Sequence, residues 1–270
     1  MTPRIGIVIP ARNAGATIGD TLAALQTTTG VDADILVVDG ESNDTTASVA
    51  ASYGARVVSQ PARGVYDAVN IGLAAVRGEW LTYINADDIL YASTLTDRIQ
   101  SAAAHDVTYG PVDFIDASAR RLHRWHSARP SFLLSVYRAG MSPLLQQGTL
   151  FRREVFERLG GFDTGWHLVA DADFWFRALE HGYRFHRTTN AAVAAFRMHA
   201  QQLSRVHAAE SREEHAAMTA HHGRDDSLAG RLAAFAWRAG NWRSYVARAL
   251  RWRLDGDGRR SLDGYALGPP

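Results

Sequence analysis

The chain has 270 residues, enough for one full hydrophobic core or two small ones, and 46% hydrophobic with 21% charged residues places it in the soluble globular class. A net charge of +1 excludes nucleic-acid binding driven by bulk electrostatics. All 29 basic residues are arginine and there is no cysteine, which excludes Schiff-base chemistry, a phosphate-loop lysine, disulfides, thiolate nucleophiles and sulfur-bound zinc. Any metal must sit on oxygen or imidazole.

The first apolar run, residues 5–9, predicts a strand. No charged and apolar leader precedes it and no later run approaches about twenty apolar residues, so the expected location is cytoplasmic. Helical spacing near 17–28, 44–53 and 65–77 then alternates with strand patterns at 35–38, 57–58 and 81–84. This alternation predicts a parallel sheet with crossover helices, which binds ligands beyond the carboxyl ends of its strands. Asn13, Asp39 and Asp87 should gather there. Past residue 105 the rhythm loosens into a strand at 107–110 and a strand pair around Phe114 and Leu122, and helical patterns return at 152–159 and 171–181. Residues 205–236 are rich in His, Ala, Glu and Arg, residues 237–254 mix Trp, Tyr and Arg at helical spacing, and the segment from Asp255 onward reads as frayed.

Several clusters along this frame could carry chemistry. The strand at 81–84 runs on through Asn85 and Ala86 into two adjacent carboxylates, Asp87 and Asp88. Adjacent acids repel, so their place at the end of a buried strand requires a cation or a network of donors. Magnesium or manganese suits one or two carboxylates with water and substrate phosphate completing the shell, whereas calcium needs more oxygens. Asp39 ends the second strand before a Gly turn. Capping of the next helix explains Ser42, Asn43 and Asp44 but not Asp39, which is placed to accept hydrogen bonds from a nucleobase or ribose. Asp67 and Asn70 lie one turn apart on one helix face and either bind a ligand or decorate a solvated first turn. Arg63 at that helix start faces phosphate or is a plain surface residue. Asp171 and Asp173 open an aromatic helix. One of them suffices as a cap, which frees the other to act as a base whose pKa partial burial would raise. His199 alone is as consistent with a structural role as with a ligand.

Together and in order, these pieces resemble the family 2 glycosyltransferases of the GT-A fold, with bacterial cell-surface polysaccharide and glycolipid enzymes of the colanic-acid type as the nearest likeness. The resemblance spans about residues 3–205. It rests on Pro10, Ala11 and Asn13 after the first strand, on Val38-Asp39-Gly40 with Ser42 and Asp44, on residues 64–72, and on Asn85-Ala86-Asp87-Asp88. Residues 147–153 and 159–163, Asp171-Ala172-Asp173 and Arg197-Met198-His199 complete it. It implies an α/β GT-A catalytic domain at 1–205, with a Rossmann-like, mostly parallel central sheet flanked by helices. The nucleotide-sugar half would occupy about 1–105, the acceptor half about 106–205, and a helical extension 206–270. The resemblance further implies that Asp39 reads the donor nucleotide, with Pro10, Ala11, Asn13, Asp67, Asn70, Asn85 and Ala86 around it. Asp87 would be the metal-binding acid of an Asp-x-Asp motif and Asp171 the general base of a Glu-Asp motif. Asn85 stands where the first motif has its other acid, and Ala170 where the second has its Glu. His199 is a further metal ligand by analogy.

The reaction so implied is inverting transfer from a nucleotide sugar, a UDP-sugar first and a GDP- or dTDP-sugar otherwise, with Mn2+ or Mg2+, to a saccharide or lipid-linked acceptor. Trp166 either stacks on an acceptor sugar or fills the core. Trp237, Trp242, Tyr245 and Trp252, with nearby arginines, either rest on the inner face of the plasma membrane or pack on the catalytic domain or a second subunit. One rival is a nucleotide-sugar binding module without turnover, which Asn85 and Ala170 permit. A sugar nucleotidyltransferase would carry a Gly-rich, Arg-containing loop with a lysine, and a dinucleotide dehydrogenase a Gly-x-Gly-x-x-Gly after the first strand. This chain has neither.

Overall fold

The computed structural model describes residues 2–242 and Val246, apart from 29, 62, 189, 190, 200, 201, 203–205 and 226. Strands β1 (Arg4–Ala11), β2 (Asp32–Asp39), β3 (Arg56–Ser59) and β4 (Trp80–Tyr83) alternate with helices α1 (Ile18–Gln26), α2 (Thr46–Ser52) and α3 (Val65–Ala75). The four strands pair in parallel, with Ala11 opposite Asp39 and Asp39 opposite Ser59, so their carboxyl ends share one rim. β4 is buried throughout and β1 beyond its first residue, which is why both read as continuous apolar runs without alternation. Gly72 lets α3 lie flat on this sheet, because a Cβ there would collide with Val8.

The looser second half supplies β5 (Ile89–Leu90), α4 (Leu95–Ser101), β6 (Val107–Tyr109), β7 (Val112–Ile115), β8 (Arg121–Trp125) and α5 (Leu133–Arg138). It continues with β9 (Thr149–Arg152), α6 (Arg153–Leu159), α7 (Ala170–Glu180), β10 (Phe185–Arg187) and β11 (Ala194–Arg197). The main sheet has seven strands in the order β10-β6-β9-β4-β1-β2-β3. It is parallel except for β9, which runs antiparallel to both β4 and β6. A second sheet has the order β5-β11-β7-β8 and contains the expected strand pair around Phe114 and Leu122 as β7 and β8. Phe162 stacks on Phe174 of α7 at 4.4 Å between ring centroids, and Phe151 of β9 packs on both, so an aromatic core welds α7 to the sheet.

Two further helices, α8 (Ala208–His221) and α9 (Leu228–Gly240), pack on this body. His222, just past α8, lies with Nε2 2.8 Å from Asp173 Oδ1 and stacks on Phe176 of α7. Trp237 of α9 donates its Nε1–H to the His126 carbonyl at 3.0 Å, and the Asn241 amide accepts from the His126 N–H and donates to its carbonyl. One face of α9 therefore packs on the rest of the chain, as one of the two readings of this segment had it. Tyr245, Trp252 and the segment from Asp255 lie outside the described residues. No helix among the described residues is long and apolar enough to cross a membrane.

Candidate active site

At the carboxyl rim of the main sheet lies a cavity of about 590 Å3. Pro10, Ala11, Arg12 and Asn13 line it from the end of β1, and Asn85, Ala86 and Asp87 from the loop after β4. The start of α3, the turn at Gln146 and Gln147, the loop of His167 and Leu168, Asp171, Arg197 at the end of β11 and His199 beyond it also line the wall.

The two adjacent acids have different fates. Asp88 is fully buried, and its Oδ1 accepts from the Arg197 backbone N–H at 2.8 Å. Its Oδ2 accepts from Gln147 Nε2 at 2.9 Å and Asn85 Nδ2 at 3.2 Å. Burial pushes its carboxyl pKa well above the usual range, and the neighbouring charge of Asp87 adds to the rise. Asp88 is thus a tie between the β4 loop, the turn before β9 and strand β11. Asn85 lines the cavity, yet its amide is spent on holding that tie. Asp87 faces the cavity, with Oδ2 2.7 Å from His199 Nε2 and both side chains about one quarter exposed. Buried Arg197 steadies this loop by donating Nε–H to the Asp87 carbonyl and Nη2–H to Asp20 Oδ2.

An oxygen and an imidazole nitrogen side by side form a donor pair that a small divalent cation such as Mn2+ accepts. No cluster of three or more acidic and His side chains that could hold a metal gathers among the described residues. A cation on Asp87 and His199 would therefore complete its shell with water and diphosphate oxygens.

Asp171 sits half-buried on the cavity wall at the start of α7, where it accepts the Tyr66 hydroxyl hydrogen bond on Oδ1 at 3.1 Å. It does not cap the helix, and neither does Asp173: the capping position is Val169, which makes no side-chain cap bond. Asp173 is instead buried against Arg177 Nε at 2.7 Å and His222. The expectation that one of the two acids caps α7 is not met: Asp173 is held in an ion-pair network and Asp171 stays on the cavity wall. Burial raises the Asp171 pKa, opposed by the Ala172 N–H and the Tyr66 hydroxyl. Tyr66→Phe removes one donor from the ionised form. The acid limb of the pH–rate profile is then expected to move to higher pH, because a base whose pKa rises loses its ionised form sooner as pH falls.

Three other residues expected near the donor, Asn70, Asp67 and Asp39, lie outside the cavity lining. Asn70 is turned away from the cavity: its Oδ1 accepts the Phe162 N–H at 2.9 Å and its Nδ2 donates to the Phe162 carbonyl at 2.8 Å. This side chain locks the Gly160-Gly161-Phe162 turn, and at Gly161, with φ +82°, a Cβ would lie 2.7 Å from Asn70 Oδ1. Asp67, one turn earlier, is half-buried and outside the cavity lining. Asp39 is buried at the end of β2, also outside the lining, and its carboxylate accepts from the Ser42 hydroxyl at 2.5 Å and the Ser42 N–H at 3.1 Å. The Ser42 Oγ in turn accepts from the Asn13 N–H, and Asn13 Oδ1 from the Asn43 N–H, so Asp39 and Asn13 knit together the loops after β1 and β2. Trp166 packs against the core and His221 of α8. Arg63 is exposed and away from the cavity.

The sequence pattern left one supporting residue unmarked. Glu214 of α8 accepts the His167 N–H on Oε1 at 2.9 Å and the Leu168 N–H on Oε2 at 2.7 Å, clamping the loop that leads to Asp171. One Glu of three on a polar helix carries no signal that it reaches a loop 46 residues away. Glu214→Ala strands two loop N–H groups and is expected to lower kcat about tenfold with little change in donor KM, checked by steady-state kinetics.

A family model described as Glycosyl transferase family 2 matches residues 6–160. The PGL/p-HBAD biosynthesis glycosyltransferase of Mycobacterium bovis (strain BCG / Pasteur 1173P2) is 29% identical over 203 residues, 72% of this chain and 77% of that one. Mannosyltransferase PcManGT from Pyrobaculum calidifontis, solved in complex with GDP-Man and Mn2+, superposes with a TM-score of 0.63 at 19% identity, covering 95% of this chain and 80% of that one. S. aureus TarS 1-349 in complex with UDP superposes with a TM-score of 0.61 at 16% identity, covering 88% and 72%. The mixed α/β architecture is the GT-A fold of these glycosyltransferases. With the family match extending over more than half of its length, the chain belongs to glycosyl transferase family 2.

Proposed function

We propose that this glycosyltransferase moves a sugar from a nucleotide-sugar donor to a hydroxyl of a saccharide or glycolipid acceptor, with inversion at the anomeric carbon. The observation that carries this reading is a single cavity lined both by Asp87 with His199 and by the half-buried Asp171. Inverting transfer needs a base at the acceptor oxygen and charge stabilisation at the departing diphosphate, both held against one sugar. In this assignment Asp171 takes the proton of the acceptor hydroxyl as that oxygen bonds to the anomeric carbon and the bond from this carbon to the diphosphate oxygen breaks. The products are a glycoside and a nucleoside diphosphate, with no covalent enzyme intermediate. Tyr66 holds the Asp171 carboxylate in place, and Arg12 adds positive charge to the nucleotide side of the cavity. A divalent cation bound at Asp87 and His199 would neutralise charge on the diphosphate in place of a protein acid. The solved neighbours with UDP, or with GDP-Man and Mn2+, support a nucleotide-sugar donor and a metal-assisted site.

The test is release of nucleoside diphosphate from a panel of UDP-, GDP- and dTDP-sugars, with saccharide acceptors, in manganese, magnesium or chelator. Cation-dependent release from one donor is the expected result. Release indifferent to chelator would overturn the cation assignment, and release from no donor would overturn the donor class.

A further inference from the structure

Helix α9 is apolar on two faces. Ala233, Ala234 and Trp237 turn inward, and α9 packs on α5. On the opposite side Leu228, Leu232 and Phe235, spaced four and three residues apart, are 73%, 56% and 69% exposed. With Trp242 and Val246 they account for five of the seven exposed large hydrophobic side chains among the described residues. A helix that already buries one face gains nothing within its own fold from a second apolar stripe, and the clustering of exposed apolar side chains on this helix and just after it marks a contact surface.

The charges select the occupant. From residue 228 to 254 the sequence has six arginines, Arg231, Arg238, Arg243, Arg248, Arg251 and Arg253, and no acidic residue. Arg231 and Arg238 follow Leu228 and Phe235 by three residues each on α9, beside the stripe, and a second copy seated there would bring more positive charge to the contact and no acid from this helix. A bilayer with anionic lipids meets both features, taking apolar side chains into the acyl boundary while guanidinium groups remain among the headgroups. We infer that α9 docks this protein on an anionic membrane surface through Leu228, Leu232 and Phe235. Because α9 packs on α5 and α5 on α7, docking would bring the helix that carries Asp171 toward the bilayer.

The experiment is co-sedimentation of the full chain with vesicles of phosphatidylcholine alone or mixed with phosphatidylglycerol. Several-fold more protein should sediment with the mixed vesicles, and less as salt rises. The Leu232→Glu, Phe235→Glu double variant should lose at least about tenfold in vesicle affinity with an unchanged thermal midpoint, since both side chains are exposed. Arg231→Glu, which disturbs no packing, should weaken binding by a smaller factor. Equal sedimentation with the two vesicle types, or equal binding by wild type and the double variant, would overturn the inference. So would a vesicle-free dimer of the wild type that the double variant dissociates. Nucleoside diphosphate release without vesicles should be the same in wild type and double variant, which separates loss of docking from damage to the cavity.

Discussion

Asp171→Asn is expected to lower kcat about a thousandfold while nucleotide affinity stays within about threefold of wild type. The asparagine still offers an oxygen to the Tyr66 hydroxyl, so the cavity wall keeps its shape and only the proton acceptor is lost. Stability should move the other way. Burial raises the Asp171 pKa in the folded state above its unfolded value near 3.9, so the folded state binds the proton more tightly. The stability this contributes is fully present below the unfolded pKa and is lost as pH rises through the folded one. At neutral pH the ionised carboxylate is therefore a cost that asparagine does not carry, and the variant should melt at or above the wild-type temperature. Single-turnover kinetics, calorimetric nucleotide binding and a thermal scan near pH 7 read all three quantities. Parallel loss of binding and turnover in a folded variant would remove Asp171 from the role of base.

The second large effect divides the two adjacent acids. Asp87→Ala is expected to weaken nucleoside diphosphate binding in Mn2+ by about ten- to a hundredfold and to leave binding in chelator unchanged, because only the cation-dependent part runs through this side chain. Asp88→Ala strands three donors at a fully buried position, the Arg197 N–H and the amides of Gln147 and Asn85, at roughly 1–3 kcal/mol each before any relaxation. Its phenotype is unfolding or poor yield. Titration calorimetry with and without Mn2+, beside urea denaturation of both variants, checks the contrast. A manganese effect that survives Asp87→Ala would move the cation elsewhere.

Legibility in the sequence followed the range of the interactions. Strands β1, β4 and the second half of β2 were readable because pairing within the sheet buries them and leaves apolar runs. β9 was not, since its four residues continue a loop motif and only their partners, Leu81 and Val107 across from Phe151, make them a strand. Asp87 and Asp171 were marked by motif and reach one cavity. Asn70 was marked by the same kind of pattern, yet its amide serves the Phe162 backbone, a contact 92 residues away that no local spacing reveals. The roles of Tyr66 as donor to Asp171 and of Glu214 as clamp depend on distances of 105 and 47 residues along the chain, and periodicity reports nothing at that range.

The Glu214 clamp also bears on how this enzyme can be divided and recombined. The family match ends at residue 160, whereas Asp171, His199 and Glu214 all follow it. A fragment cut before α8 would keep the carboxyl rim of the sheet but release the backbone of His167 and Leu168. A chimera that borrows its last helices from a relative imports a new tether for the loop beside Asp171. Turnover should therefore depend on the tail as well as on the loop, and the two would have to be exchanged as a matched pair.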